Sequence, residues 1–422
     1  MKKLFLTMTL LLSVIIAFGQ TLSKEELKAQ KKQIKALMNL VKEAEASIIE
    51  DPNVALAKLR VPSESPLVNK DPYVWYVIAK AKKAIIDTEN NMQLLKQAFD
   101  ANKLYSTAYE IYGDIALCDS LDKLPNAKNK IAPKYTEELK TMMAECRYIL
   151  YNGGIHYYSS EDVASAGKYF AKFADLRSYR LLDEVLNNEQ DINILNDATF
   201  NATMCGMVNE DYNMVLKYVD NLKNDPSRVE YYYDYKARSL AATGDTVAWL
   251  AILREGVKEY PANEYFQNSL IQYYNERNMQ DELDKLMDEM IANNPTNALY
   301  YYVKGYILHN REKYDDAITW YKKAVELKSD YVEAYANMGR CYITKAQDYS
   351  NSQASTKITD KAKIKKDNEI IQGYYKEALP YMVKVRELAP DNKSLWMYGL
   401  ANCYANLNMD KEFEEIRVMM EE

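Results

Sequence analysis

Apolar residues recur at helical spacing along most of the chain, in pairs of segments separated by short polar breaks. The clearest pair lies between Ala298 and Tyr331. Its first segment carries an apolar face made of Tyr301, Gly305 and Leu308. Its second segment carries an apolar face made of Tyr314, Ala317, Tyr321 and Ala324. The pattern predicts two amphipathic helices joined by a tight turn.

These helix pairs follow a period of 34 residues. Pro261 and Pro295 stand 34 positions apart, and the same count next reaches Ser329. The corresponding proline after that is Pro390, 61 positions further on, so one frame contains an insertion of 27 residues. A fixed period of this length is typical of a helical-repeat array, in which each pair buries its apolar face against its neighbours.

The repeat resembles the tetratricopeptide repeat, a helix-turn-helix of 34 residues with small residues where its helices approach closely. Gly305 and Ala317 supply those small residues here, whereas Lys304 replaces the usual leucine and Ser329 the usual terminal proline. About seven such units follow residue 146. The resemblance implies an all-α fold, a right-handed α-solenoid of stacked repeats.

The chain is predicted to have three parts. Residues 1–19 form a signal peptide, 20–146 form divergent helical repeats that also cap the array, and 147–422 form the array, with the insertion at about 347–373. A distinct N-terminal helical domain is the alternative for 20–146. Ser23 and Glu26 form a capping box that opens a helix through about Ile49, and Asp71-Pro72 opens another. The segment 61–72 resembles a linker.

The insertion is rich in lysine and polar residues. From Thr359 onward it could extend the second helix of its unit by several turns at the N-terminal end. It is either a solvated helical hairpin without a role or a projection that binds a partner.

Composition agrees with an all-helical, non-catalytic chain. Glycine and proline together make up about 5% of the residues, against about 12% in an average protein, too few for the turns of a sheet-rich fold. Only His156 and His309 are histidines, and nucleotide-binding and serine-hydrolase motifs are absent. We therefore expect no cofactor, no metal and no enzymatic activity. A helical glycoside hydrolase or lyase that works with carboxylates alone remains the enzymatic alternative.

The N-terminus indicates export. Two lysines precede an apolar run, and Ala17 and Gly19 occupy the positions that a signal peptidase reads, which predicts cleavage before Gln20. An uncleaved membrane anchor is the alternative. The net charge of −7 argues against nucleic acid as a partner, and no later apolar run is long enough to span a bilayer. The expected location is the periplasm, the cell surface or the medium of a bacterium.

Five cysteines with no close pair are expected to be buried, reduced thiols.

The resemblance also implies where a partner binds. In this family, repeat positions two, five, nine and twelve face the concave side of the array. Carried onto this sequence, those positions are Tyr148, Tyr151 and Tyr158; Tyr231, Asp234 and Arg238; Tyr265, Asn268 and Gln272; Tyr302 and Tyr306; and Glu333 and Arg340.

Tyrosine dominates this set, and its rigid amphipathic ring suits the recognition of an extended peptide. The expected function is a scaffold or adaptor in the cell envelope that binds a protein or peptide. A carbohydrate-binding protein of an envelope uptake system is the alternative. About half of the tyrosines should instead be packing residues.

Overall fold

The computed structural model describes residues 23–126, 129–354 and 361–421, and the predicted signal peptide lies outside the described residues. The described part of the chain is all-α and contains no strand. Its first nine helices are α1 (Lys24–Ser47), α2 (Pro52–Glu64), α3 (Pro72–Leu94), α4 (Ala101–Asp122), α5 (Thr136–Ser159), α6 (Val163–Ala174), α7 (Glu189–Val208), α8 (Tyr212–Tyr218) and α9 (Val229–Thr243). The next nine are α10 (Thr246–Glu259), α11 (Glu264–Glu276), α12 (Gln280–Asn293), α13 (Ala298–Asn310), α14 (Tyr314–Leu327), α15 (Val332–Ala354), α16 (Lys361–Leu388), α17 (Lys393–Asn406) and α18 (Asp410–Glu421).

The chain divides into two compact units, Met1–Ile252 and Leu253–Glu422, and the division falls inside α10. In the first unit, each helix packs mainly on the helices that precede and follow it in sequence. The same holds in the second unit, where α13 packs on α14, α15 on α16 and α17 on α18. This arrangement of stacked helix pairs confirms the predicted all-α repeat fold.

Helices begin where the sequence supplies a side-chain acceptor for the first free backbone N–H groups. Ser23 and Glu26 form the predicted capping box of α1, with both of its hydrogen bonds present. The Asp71 carboxylate caps α3, and Pro72 follows at the first helical position. Both helix starts predicted for this region are confirmed.

The predicted linker at 61–72 is wrong in its first part. The helix α2 starts from Asp51-Pro52 and continues through Val61 to Glu64. Pro62 fits because it lies in the last turn of the helix, where it is buried. Only the short turn of residues 65–71 separates α2 from α3.

Close approach within the pairs depends on glycine. A Cβ atom placed on Gly305 of α13 would lie 2.6 Å from the ring of Tyr321 on α14. A Cβ atom on Gly154 would lie 2.7 Å from the ring of Phe170, and one on Gly339 would lie 2.6 Å from the end of Met382. These distances are below van der Waals contact, so the expected role of Gly305 is confirmed, and Gly154 and Gly339 have the same role in their pairs.

Lys304 departs from the repeat pattern and is accommodated by its neighbours. It is buried, and its ammonium group lies 2.9 Å from the carboxylate of Asp284 and 2.5 Å from that of Asp288, both on α12. The same ammonium lies 5.2 Å from the ring centroid of Trp320 on α14. Opposite charges on the preceding helix therefore take the place of the apolar contact that leucine would make.

The insertion forms a longer helix pair from α15 and α16. The first helix continues to Ala354 and the second starts at Lys361, while residues 355–360 lie outside the described residues. Within the pair, the Tyr349 hydroxyl donates a hydrogen bond of 2.9 Å to the buried carboxylate of Asp367. The expected N-terminal extension of the second helix is present from Lys361 onward.

The five cysteines are packed inside the described part of the chain. All five cysteines are free and buried. Burial raises the pKa of the Cys205 thiol to about 11 and those of Cys118, Cys146, Cys341 and Cys403 to about 12. Among the described residues, no group of three or more His, Cys, Asp or Glu side chains is arranged to hold a metal ion, and no helix combines the length and the apolar character that a bilayer crossing requires.

Candidate partner-binding surface

The predicted partner-binding residues all lie on the first helices of their pairs. In the first unit they belong to α5 and α9, and in the second unit to α11, α13 and α15. The structure distinguishes side chains that are committed to packing from side chains that remain available at the surface.

The most coherent group lies on α13 and α15, and we call Tyr302, Tyr306, Glu333, Asn337 and Arg340 the Tyr302 cluster. The Asn337 side-chain amide donates a hydrogen bond of 3.2 Å to the Tyr302 hydroxyl, which joins the two helices. Arg340 in turn donates a hydrogen bond of 3.4 Å to the Asn337 side-chain oxygen. The structure thus brings four of the predicted residues to one place.

The ring of Tyr302 is half-buried beneath this surface. Its centroid lies 4.9 Å from that of Tyr331 and 5.6 Å from that of Tyr321, which is fully buried. Burial raises the pKa of Tyr302 above its usual value, so the hydroxyl remains protonated at neutral pH. Tyr302 therefore supports the fold as well as the surface.

Charge at the cluster is available for a partner. Glu333 and Arg340 are exposed, and neither forms an ion pair within 4 Å among the described residues. Burial, together with the positive charge of Arg340, holds the pKa of His309 below its usual value. His309 is therefore neutral at pH 7, and Arg340 is the cation at this position.

The predicted residues of α11 differ in their surroundings. The Gln272 amide donates a hydrogen bond of 2.7 Å to Glu276 on its own helix. Asn268 is exposed and Tyr265 is half-buried beside Phe266. The link between α11 and α13 is made by a different residue, Gln267, which accepts a hydrogen bond of 3.1 Å from Asn297.

On α5, packing and hydrogen bonding occupy two of the three predicted tyrosines. The Tyr148 hydroxyl donates a hydrogen bond of 2.8 Å to Asp191 on α7. The Tyr151 ring packs between Phe170 and Phe173 on α6. Tyr158 is 47% exposed at the surface.

On α9, an aromatic group reaches the surface. Tyr231 is 42% exposed, and its ring centroid lies 5.2 Å from that of Phe200 and 5.4 Å from that of Tyr235. Asp234 and Arg238 form an ion pair of 2.8 Å along the same helix.

Asn337 is the member of the cluster that sequence reasoning missed. It lies at the sixth position of its repeat, between the predicted positions five and nine, and it is 8% exposed. Its signal in the sequence is a carboxamide among apolar positions of a first helix, because a buried amide needs hydrogen-bond partners. Here those partners are Tyr302 and Arg340.

The paired helices, their 34-residue period and this surface together define a helical-repeat protein. The model of the tetratricopeptide repeat family matches residues 305–344, which run from the close contact of Gly305 through α14 into α15. Residues 305–344 are therefore a tetratricopeptide repeat within an all-helical array of paired helices. No curated protein matches its sequence.

Several solved structures are similar in fold. A tetratricopeptide-repeat protein from Bacteroides fragilis is 16% identical, with 65% of this chain and 98% of that chain covered and a TM-score of 0.30. Yeast Tom70 is 13% identical, with 92% and 86% covered and a TM-score of 0.32. A domain of yeast Sti1, solved as a complex with pHSP90, is 14% identical, with 66% and 99% covered and a TM-score of 0.22.

Proposed function

We propose that this protein is a non-enzymatic scaffold or adaptor of the cell envelope that binds a protein or peptide partner on the first-helix surface of its repeats. The observation that carries the proposal is the Tyr302 cluster. It presents an aromatic surface from Tyr302 and Tyr306, flanked by the exposed charges of Glu333 and Arg340. Tyrosine and arginine are enriched among the residues that dominate binding energy at protein interfaces.

The cluster supplies both parts of a peptide site. Its Tyr302 ring is held in place by packing on Tyr321 of the second helix and by the Asn337 hydrogen bond, so binding there costs little ordering of that side chain. Its two unpaired charges can form ion pairs or hydrogen bonds with a partner without first breaking an internal ion pair. A peptide backbone needs such donors and acceptors beside apolar contact area.

The test is partner capture with a surface variant. We expect Tyr306→Ala combined with Arg340→Gln to reduce capture from an envelope extract of the native host at least about tenfold, as loss of an interface hot spot does. Tyr302 is left in place because its ring also packs on Tyr321 and Tyr331. Captured proteins are quantified by mass spectrometry.

The control carries Tyr212→Ala and Lys322→Gln, which change a half-buried tyrosine on the second helix α8 and an exposed cation on the second helix α14. It should capture the same proteins as the unchanged chain. Equal capture by the Tyr306 variant would contradict the cluster as a binding site.

Carbohydrate binding is the second candidate, and the aromatic group on α7 and α9 favours it. The exposed Tyr231 ring packs on Phe200, and the Arg228 guanidinium lies over the same Phe200 ring. Arg228 lines a polar cavity of about 330 Å³ together with Asn196, Asn221 and Asn224. Aromatic rings stack on sugar rings, and carboxamides can hydrogen-bond to sugar hydroxyls. A glycan array would show binding that Tyr231→Ala abolishes; a chain that binds no glycan would contradict this function.

The envelope setting rests on the N-terminal sequence alone, which has the order of charged, apolar and small residues of a signal peptide. N-terminal sequencing of the protein from its native host should begin at Gln20. A protein that retains the first nineteen residues would contradict cleavage.

A further inference from the structure

A cavity of about 440 Å³ lies on the first-helix surface of the N-terminal repeats. Its lining comes from the first helices α3 and α5 and from Ile48, the residue that follows α1. Ile48, Ala84 and Met142 are the apolar lining residues, and the others are charged except for Thr141. The cavity is separate from the Tyr302 cluster, which belongs to the other compact unit.

The repeat register of α3 places the cavity where a repeat presents its binding positions. Trp75 and Ala79 match the large and small residues of a first helix, so positions nine and twelve fall on Lys80 and Lys83. Both lysines line the cavity. Positions two and five fall on Tyr73 and Tyr76 of the same helix.

Internal ion pairs already neutralise the two lysines. The Lys80 ammonium lies 2.8 Å from the carboxylate of Glu45 on α1. The Lys83 ammonium lies 2.6 Å from Asp87 and 2.7 Å from Glu145. Although burial lowers the pKa of Lys83, these two carboxylates more than offset it and raise that pKa above its usual value. Both lysines are therefore charged and already form ion pairs within the chain.

Two carboxylates of the wall lie in no ion pair of 4 Å or less in the described chain, although the Lys140 ammonium, which pairs with Glu184, lies within electrostatic range of Glu137. Glu137 and Glu138 in the first turn of α5 line the cavity, and neither forms an ion pair within 4 Å among the described residues. Glu138 accepts a hydrogen bond from the Tyr76 hydroxyl, which is a neutral partner. The cavity lining and the ion-pair partners of its lysines together hold two ammonium groups and five carboxylates, those of Glu45, Asp87, Glu137, Glu138 and Glu145, so the formal charge of this set is −3. The nearby Lys140 and its partner Glu184 add no net charge.

We propose that this cavity binds a lysine or arginine side chain, flanked by apolar residues, in an extended segment of a partner protein. The inference rests on the proposed function but names a second site and the charge of its ligand. The cation of the partner lies between Glu137 and Glu138, and its methylene stem and apolar neighbours cover Ile48, Ala84 and Met142. Charge complementarity selects this occupant, because an acidic segment would face uncompensated carboxylates.

The test uses a phage-displayed library of random peptides, selected on the immobilised full chain. Peptides that bind should be enriched in lysine or arginine beside apolar residues. One enriched peptide, made synthetically with a fluorescent label, is then titrated with the chain and with Glu137→Gln/Glu138→Gln. We expect the dissociation constant to rise about tenfold or more, as for loss of a charge-assisted hydrogen bond, and added salt to weaken binding to the unchanged chain.

Neither glutamine substitution should unfold the chain, so a change in peptide binding reports on the site itself. Both glutamates are exposed, and a glutamine at 138 keeps an oxygen that accepts from Tyr76. The control Glu282→Gln/Glu289→Gln removes the same charge from exposed positions on α12 and should leave binding unchanged.

Three results would overturn the inference: no enriched peptide, enrichment of acidic peptides, or basic peptides whose binding survives Glu137→Gln/Glu138→Gln. If those peptides lose binding instead with Tyr306→Ala/Arg340→Gln, the proposed function stands and the N-terminal site is wrong.

Discussion

Replacing Asp191 with alanine should lower the free energy of unfolding by about 3–5 kcal/mol, the range for removing one partner of a buried ion pair. Asp191 is fully buried at the start of α7. Its carboxylate lies 2.9 Å from Nε of Arg147, and it accepts hydrogen bonds of 2.8 Å from Tyr148 and 2.6 Å from Asn188. The variant leaves the Arg147 guanidinium without its carboxylate at the contact between α5 and α7. Urea denaturation followed by circular dichroism measures the change.

The matched control is Asp197→Ala on the same helix. Asp197 pairs with Arg228, but its side chain is 47% exposed, and exposed pairs contribute less than about 1 kcal/mol. The two variants should therefore differ by at least about 2 kcal/mol. A loss of stability at Asp191 no larger than that at Asp197 would contradict the structural role of this group.

The effect at Asp191 should also depend on pH. Burial alone would raise the pKa of Asp191, but hydrogen bonds from Arg147, Asn188 and Tyr148 outweigh burial and hold it below its usual value. Its stabilisation is therefore complete above the unfolded pKa, about 3.9, and is lost as the pH falls through the lower folded pKa. The difference between the unchanged chain and the variant should shrink below about pH 4.

Adding a single methyl group at Gly305 should destabilise the second unit by about 1–3 kcal/mol, the usual cost of overpacking. The new Cβ atom would lie 2.6 Å from the ring of Tyr321, which has no exposed surface and cannot move without displacing Tyr302. Alanine stabilises a helix by about 1 kcal/mol relative to glycine. A net loss of stability therefore has to come from the close contact with Tyr321. Urea denaturation of Gly305→Ala measures it.

Gly373 on α16 provides the comparison. A Cβ atom there would meet nothing within 4 Å, so Gly373→Ala should gain about 0.5–1 kcal/mol from helix propensity. We expect Gly305→Ala to lower the free energy of unfolding and Gly373→Ala to raise it. Stabilisation by both substitutions would mean that α13 and α14 do not pack as closely as the structure shows.

Sequence reasoning reached the fold because the signals that set it are local and repeated. The pairing of Gly305 with Tyr321 follows from fixed spacing within one repeat, and the start of α1 follows from two residues three positions apart. The 61–72 segment was misjudged because proline and serine also occur in the last turn of a helix. Pro62 shows this, since tertiary packing buries it inside α2.

The surface was predicted less completely, because it depends on contacts between repeats. Repeat positions identified Tyr302 and Arg340 but could not show that Asn337 joins them. Tyr148 occupies a repeat position that faces the concave side in this family. Its hydroxyl nevertheless donates a hydrogen bond to Asp191, 43 residues later in the sequence. Lys80 and Lys83 also occupy repeat positions that bind partners in this family. Both lysines form ion pairs with carboxylates on helices that are distant in sequence.

Site-specific photo-crosslinking shows which face of the repeats contacts the partner. A photoreactive phenylalanine analogue is placed at Tyr306 on a first helix or at Lys322, an exposed position on the second helix of the same pair. After irradiation in the native host, we expect Tyr306 to yield a covalent adduct with a distinct protein and Lys322 to yield none. Adducts at Lys322 alone, or equal adducts at both positions, would contradict binding on the first-helix surface.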